Sequence, residues 1–427
     1  MLNDPSATLI RSNRSFAWYW SGQSVSSFGS QVTVMALPLV TAVSLHGTPA
    51  QVGWVATATM LPYLLFSLLA GHLLEDRDAR KVMLPANLVQ ATAIAVIPVA
   101  WAAGCLSVPL LVVLAFLAGC AALCFGVVGF SYLPSLVKED DLAAANRALQ
   151  GSRTVAEVAG PGIGGILVGT FGAPLALTVD AASYLASALG IARSKPLATP
   201  NTGQVSRAKP RPAISDGLRI LFTNTYLRSL TAHAALYNLT EQIFTLNLVL
   251  WAVQRQGLSP SQYGLAMGVA GIGGLIGTAT ALKLERALGL GKAFAASLLL
   301  SCGIPLLAVA GDLHGTALTA VLAGIMLLSG LGLGNANVYS LTMRQTAIPQ
   351  DQLTRSAGAY TQVMYGAIPM GSALAGALGQ HCGTRTAAFI GAIGMLCSIL
   401  PMLSRKVLQL RYVHDVHDGG PSDREQP

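Results

Sequence analysis

Charge is scarce in this chain. Of 427 residues, 10% are Asp, Glu, Lys or Arg, against about 25% in an ordinary soluble domain. Too few charges exist to cover a water-soluble particle of this size, and a disordered chain is excluded on the same count. Aromatics are also sparse, at 6%, so the 53% hydrophobic content is largely aliphatic. The six cysteines form no CxxC pair. They give neither a disulfide framework nor metal-ligand spacing, and read as small packing residues in apolar runs. A Walker-type loop and a nucleophile–base pair are missing too, so no cofactor, metal site or enzymatic activity is expected.

What remains is a bundle of membrane helices. The mean hydropathy is +0.57, and spans of about 20 apolar residues with short connections leave room for roughly twelve. The polar segment Met1–Ser15 is followed by a long apolar run without a small-residue cleavage site, expected to be an uncleaved first span. Spans are expected at residues 16–43, 51–74, 82–104, 107–131, 152–171 and 174–192, then at 229–253, 263–282, 293–310, 315–340, 356–379 and 385–404. The Gly-rich stretches Gly271–Gly274 and Gly330–Gly334 read as helix packing inside this bundle.

The basic residues give an orientation. With a cytoplasmic N-terminus, twelve spans place all but Arg255 and Arg385 of the 26 Lys and Arg on the inner side, as the positive-inside rule demands. The net charge of +8 therefore reports topology, and no nucleic-acid partner is expected. Both termini are expected in the cytoplasm; the expected partners are the lipid bilayer, protons and a small-molecule substrate, and the chain is expected to act as a monomer.

The chain is expected to divide into a six-helix bundle at 1–192, a cytoplasmic linker at 193–228, a second six-helix bundle at 229–405 and a cytoplasmic tail at 406–427. Within the linker, Ile214–Leu227 reads as amphipathic and able to lie on a membrane surface. The halves repeat at an offset of 211. Pro49-Ala50-Gln51-Val52-Gly53 returns as Pro260-Ser261-Gln262-Tyr263-Gly264, and Leu142 as Leu353. Six spans per half give both halves the same membrane orientation, a transporter architecture.

Two motifs sit on this frame. After span 2 come Asp76-Arg77 and Arg80-Lys81; in span 5 comes Gly160-Pro161-Gly162-Ile163-Gly164-Gly165. The first resembles the signature loop of the major facilitator superfamily, with Ala79 where the pattern has glycine. The second resembles the antiporter motif of that superfamily's drug exporters. Asn13-Arg14-Ser15-Phe16, Ala36-Leu37-Pro38 and Asp180-Ala181-Ala182-Ser183-Tyr184-Leu185 are similar to the macrolide-efflux and enterobactin-exporter-like branch. The resemblance implies an all-α fold of twelve transmembrane helices in two pseudo-symmetric six-helix bundles. It implies a conformational latch at Asp76, Arg77, Arg80 and Lys81, and an antiporter element at Gly160, Pro161, Gly164 and Gly165. It further implies that spans 1, 4, 7 and 10 line the cavity. Span 4 lacks the arginine that many proton-coupled exporters carry there.

Acids within a membrane are costly when ionised, so each is a functional candidate. Glu241 lies deep in span 7, on a stripe with His233 and Tyr237 at i, i+4 and i+8, flanked by Asn238 and Thr245. It is the first candidate for proton coupling; Asp180 in span 6 is the second and His233 a third. Glu157, four residues after Arg153, is expected to form a local ion pair. Gln23 and Gln31 in span 1 and Asn335 and Asn337 in span 10 join Tyr237, Asn238 and Thr245 as candidate cavity residues. Such a pocket suits a small, largely apolar organic compound. The expected function is its export in exchange for protons at the bacterial inner membrane. The alternatives are a proton-coupled importer on the same fold, a polytopic membrane enzyme and a non-transporting sensor or scaffold.

Overall fold

The computed structural model describes residues 5–74, 77–197, 219, 221–311, 313–348 and 353–411. Among them run twelve long helices: α1 (Arg14–Leu39), α2 (Pro49–Leu74), α3 (Ala79–Ala102), α4 (Val108–Leu136), α5 (Leu142–Phe171), α6 (Ala173–Arg193), α7 (Thr225–Leu250), α8 (Pro260–Leu288), α9 (Leu290–Gly303), α10 (Gly315–Ala347), α11 (Leu353–Cys382) and α12 (Thr384–Cys397). A short helix, Pro5–Ser12, precedes α1. The 3-10 turns Ile304–Val309 and Leu400–Leu403 extend α9 and α12.

Nine of these helical rods are long and apolar enough to cross a membrane. The other three, α2, α7 and α11, match them in length at 26, 26 and 30 residues. Polar side chains dilute α7 and α11, while α2 adjoins positions that are not described. The helices fall where the hydropathy pattern expects them, with one large difference in extent. Helix α5 begins at Leu142, ten residues before the expected span, because Leu142–Gly151 continues the helix for about three turns outside the apolar run. Most of the linker and the tail beyond Arg411 lie outside the described residues, as do six of the fourteen residues of Ile214–Leu227.

By internal contacts the chain forms two units, Met1–Ala208 with Ser259–Leu265, and Lys209–Leu258 with Ala266–Pro427. In the first, α1 packs on α5 and α6, α2 on α4, and α3 on α4 and α6. One end is sealed by an apolar cluster of Leu9, Phe16, Tyr19, Met83, Tyr132 and Leu136, among others. In the second, α7 packs on α11 and α12, and α9 on α10.

The repeat extends to local geometry. Asn13 caps α1 by accepting from the Phe16 amide, and Asn224, 211 residues later, caps α7 by accepting from the Tyr226 and Leu227 amides. Each of these 26-residue helices runs into a π-helical turn, at Val40–Ser44 and Trp251–Arg255. Left-handed residues then recur as His46 and Gly257, Gly104 and Gly315, and Gly172 and Gly383. Helix contacts recur likewise. Gly119 of α4 lies on the Thr59 carbonyl of α2, and Gly330 of α10 on the Ala270 carbonyl of α8. The Gly-rich runs of α8 and α10 thus bring two backbones together, with Gly273 and Gly277 against α10 and Gly334 against α8. Small residues allow this closeness in membrane bundles.

Candidate functional site

The first unit lines a half-open cavity of about 820 Å³, within the range of small-molecule sites. One wall is polar. Helix α1 contributes Gln23, Ser24, Ser27, Ser30 and Gln31, spaced to share one helical face, and α5 contributes Asn146, Gln150, Arg153 and Glu157. Met60 of α2 and Ala115, Ala118, Ala122 and Phe125 of α4 add apolar lining, interrupted by Thr59 and Tyr63 of α2 and Asn87 and Gln90 of α3. The cavity therefore offers an amphiphile lining of both kinds.

Arg153 and Glu157 form the expected ion pair, Nε to Oε1 2.9 Å, on one turn of α5. Their side chains are 61% and 48% exposed and both line the cavity. The sequence reading placed this pair at a helix end and left the cavity without charge. The longer α5 corrects that, since it carries Arg153 well inside the helix.

The antiporter-like motif serves the polar wall. Gly160 lies against Gln31, whose Cβ and Cγ occupy the space a methyl group would need, and Gly164 sits on Met35 and Val32. Both glycines are buried. Gln23 donates from Nε2 to Ser187 Oγ of α6 at 2.9 Å, so it faces the cavity while tied to its neighbour helix. Pro161 lies inside α5, and Gly165 is buried.

Asp180 is fully buried in α6, behind the same wall. Its Oδ2 accepts from the Thr33 hydroxyl and its Oδ1 from Ser183 Oγ at 2.9 Å. Tyr184 lies one turn further along α6, and its hydroxyl stands 3.4 Å from Ser30 Oγ. Thr33, Ser30 and Tyr184 all line the cavity. The carboxyl fits only because residue 29 is glycine: a Cβ there would overlap Ser183 and stand 2.6 Å from Asp180 Oδ1. Neither Thr33 nor Tyr184 was singled out from sequence as a site residue. The i, i+4 spacing of Asp180 and Tyr184 is the signal that pointed there.

In the second unit, Glu241 Oε1 accepts from Thr245 Oγ1 at 2.7 Å and Oε2 from Gln242 Nε2 at 3.0 Å. Gln242 in turn accepts from Ser372 of α11 at 3.4 Å. Tyr237 faces Glu241, and its ring lies 5.9 Å from that of His233. His233 is buried, with Nδ1 2.9 Å from the Ser398 carbonyl at the end of α12; this bond ties it to structure. Asn238 donates to the Ala234 carbonyl at 2.8 Å. Asn335 is buried, donating to the Leu331 carbonyl at 3.1 Å, while its Oδ1 has no partner among the described residues. Asn337 is exposed.

Of the signature-loop residues, Asp76 lies outside the described residues. Asp78 caps α3, its Oδ1 accepting from the Arg80 amide at 3.0 Å. The Arg80 guanidinium donates to the Ala192 carbonyl at the end of α6, a cation placed at the negative end of a helix. Arg77 and Lys81 are exposed. Arg385, one of the two outer basic residues, donates to the carbonyls of Val309 and Gly311 at 3.1 and 3.3 Å and so closes the end of the α9 rod. All six cysteines are free thiols. No cluster of three metal-ligating side chains occurs among the described residues.

Twelve long helices, a repeated six-helix plan and a polar cavity inside the first repeat define a polytopic transporter of the major facilitator type. The chain belongs to the transmembrane secretion effector family of that superfamily, whose profile matches residues 7–419. It is 29% identical over 387 residues to the multidrug efflux pump Tap of Mycobacterium tuberculosis, covering 87% of this chain and 88% of that protein. It is 24% identical over 416 residues to the MFS-type transporter YfiS of Bacillus subtilis, covering 94% and 96%. In structure it resembles a bacterial homologue of the iron transporter ferroportin in its inward-facing state. That match has a TM-score of 0.73 at 18% identity, over 91% of this chain and 98% of the other.

Proposed function

We propose that this transporter exports a small amphiphilic organic compound, largely apolar with a few hydrogen-bonding groups, in exchange for protons. The observation that carries the reading is a fully buried carboxyl, Asp180, separated from a cavity of about 820 Å³ by cavity-lining hydroxyls. No cation lies within ion-pair distance of it among the described residues. Its hydroxyl partners can donate to a carboxylate or accept from a carboxylic acid, so both protonation states are accommodated. Glu241 is half-buried and accepts from the Thr245 hydroxyl and the Gln242 amide. The similarity to a protein named a multidrug efflux pump supports the direction of transport.

Alternating access follows as the mechanism: the substrate is taken up at a cavity open to one face and released at the other, and proton binding favours one state over the other. The protein would lie in the bacterial inner membrane as a monomer, with both termini in the cytoplasm. Asp76, Arg77, Arg80 and Lys81 would bias the equilibrium between the states.

Everted vesicles test this directly. A gene-deletion strain screened against a panel of toxic compounds supplies the substrate. Vesicles with an imposed, inside-acid pH gradient are then expected to accumulate that substrate, and Glu241→Gln is expected to lose accumulation against the gradient. Loss of substrate from such vesicles would mark an importer. A Gly203→Cys variant labelled only from outside intact cells would overturn the orientation.

A further inference from the structure

The repeat aligns the fully buried Asp180 and the half-buried Glu241 in an unexpected way. Ser30 and Glu241 are equivalent residues, 211 apart, and each is the seventeenth residue of a 26-residue helix. In the first half this level of α1 carries no acid. Asp180 supplies one from α6, reaching Thr33 directly, while Tyr184 of the same helix stands against Ser30. In the second half the acid stands on α7 itself, as Glu241.

The packing is reciprocal. In the first half the small residue is on the first helix: Gly29 makes room for Ser183 and Asp180 of α6. In the second half it is on the last helix. Gly394, the equivalent of Ser183, makes room for Thr240, the equivalent of Gly29. Gly391, the equivalent of Asp180, lies so close to α7 that an added Cβ would stand 2.5 Å from the Phe244 amide nitrogen. An acid is excluded from α12 at the level where α6 has one, and α7 provides it.

Both carboxyls are bound on each oxygen by a neutral donor, a hydroxyl or an amide. The titratable groups facing Asp180 are Tyr184 and, behind it, Tyr63. Those facing Glu241 are Tyr237 and, behind it, Cys302. No Lys, Arg or His lies within ion-pair distance of either acid among the described residues.

We propose that each half carries its own proton-exchanging carboxyl at one common level of the repeat, Asp180 in the first and Glu241 in the second. The two load and unload separately, and Tyr184 and Thr33 are positioning residues for the first. The inference rests on the proton-exchange reading above and doubles it. In each step a carboxylate takes up one proton to become a carboxylic acid and later returns that proton to water.

The test needs no substrate. Purified full-length protein in liposomes is titrated between mildly acid and mildly alkaline pH, with carboxyl infrared bands and proton uptake recorded together. The wild type is expected to show two titrating carboxyl components. Asp180→Asn removes one and Glu241→Gln the other; each lowers uptake by one proton per chain, and the double variant by two. Should Asp180→Asn fail to fold, Thr33→Val and Thr245→Val are read instead, each expected to shift one component and leave the other in place. A single titrating component, or two that both respond to one variant, overturns the inference. Failure of wild-type everted vesicles to exchange substrate for protons overturns the antiport reading alone, because the band count does not depend on it.

Discussion

Gln31 lies directly against Gly160, with no space between them for a methyl group. The contact joins a cavity-lining amide on α1 to the first glycine of the antiporter-like motif on α5. It recurs 211 residues later, where Gly371 of α11 lies on Gln242 and the Leu239 carbonyl of α7. Gly160→Ala and Gly371→Ala are each expected to push two helices apart and to lower stability by about 1–3 kcal/mol. Thermal unfolding in detergent measures this, and export should fall in parallel. Unchanged unfolding in both variants would remove the contact from consideration.

The Gly29–Ser183 contact gives a compensation experiment. Gly29→Ala alone is expected to cost about 1–3 kcal/mol by overpacking. Combining it with Ser183→Gly copies the second-half arrangement, in which Thr240 faces Gly394. Residues in direct contact are non-additive, so the double variant should recover part of the loss. A double variant at the sum of the two single losses would contradict the reciprocal packing.

Arg153 and Glu157 separate binding from folding. A half-exposed pair of this kind contributes about 0–1 kcal/mol to stability. Arg153→Gln and Glu157→Gln should therefore unfold near the wild-type temperature. Because both side chains line the cavity, the apparent KM for the exported compound is expected to change several-fold in each. An unaltered KM would make the pair a bystander.

His46 holds a left-handed backbone at φ 51°, where its repeat partner is Gly257 at φ 70°. A non-glycine residue there is strained by about 1–2 kcal/mol. His46→Gly should raise the unfolding temperature slightly, and Gly257→Ala should lower it. Opposite signs for the two variants are the result to look for.

Hydropathy and the 211-residue offset made the twelve helices legible, since a lipid-facing run and a sequence repeat both survive in one dimension. The ion pair Arg153–Glu157 was legible as well, because i, i+4 neighbours touch on any helix. Its place on the cavity wall was not: the polar start of α5 does not register in a hydropathy profile, so the helix read as ten residues shorter. His233 shared a stripe with Glu241, yet its bond to the Ser398 carbonyl joins residues 165 positions apart. The Thr33–Asp180 contact spans 147 positions and depends on the missing side chain at Gly29. Sequence spacing carries no trace of such a fit.

Six of the left-handed residues follow α1, α3 and α5 in the first half and α7, α9 and α11 in the second, and a seventh, Gly289, joins α8 to α9. Connections after alternate helices leave a bundle by the same end, so in each half one end is stitched by three taut bends of a few residues. A protease presented to that end would find little extended chain to grip. Epitope tags and fluorescent fusions for following the protein in cells belong in the long polar linker between α6 and α7.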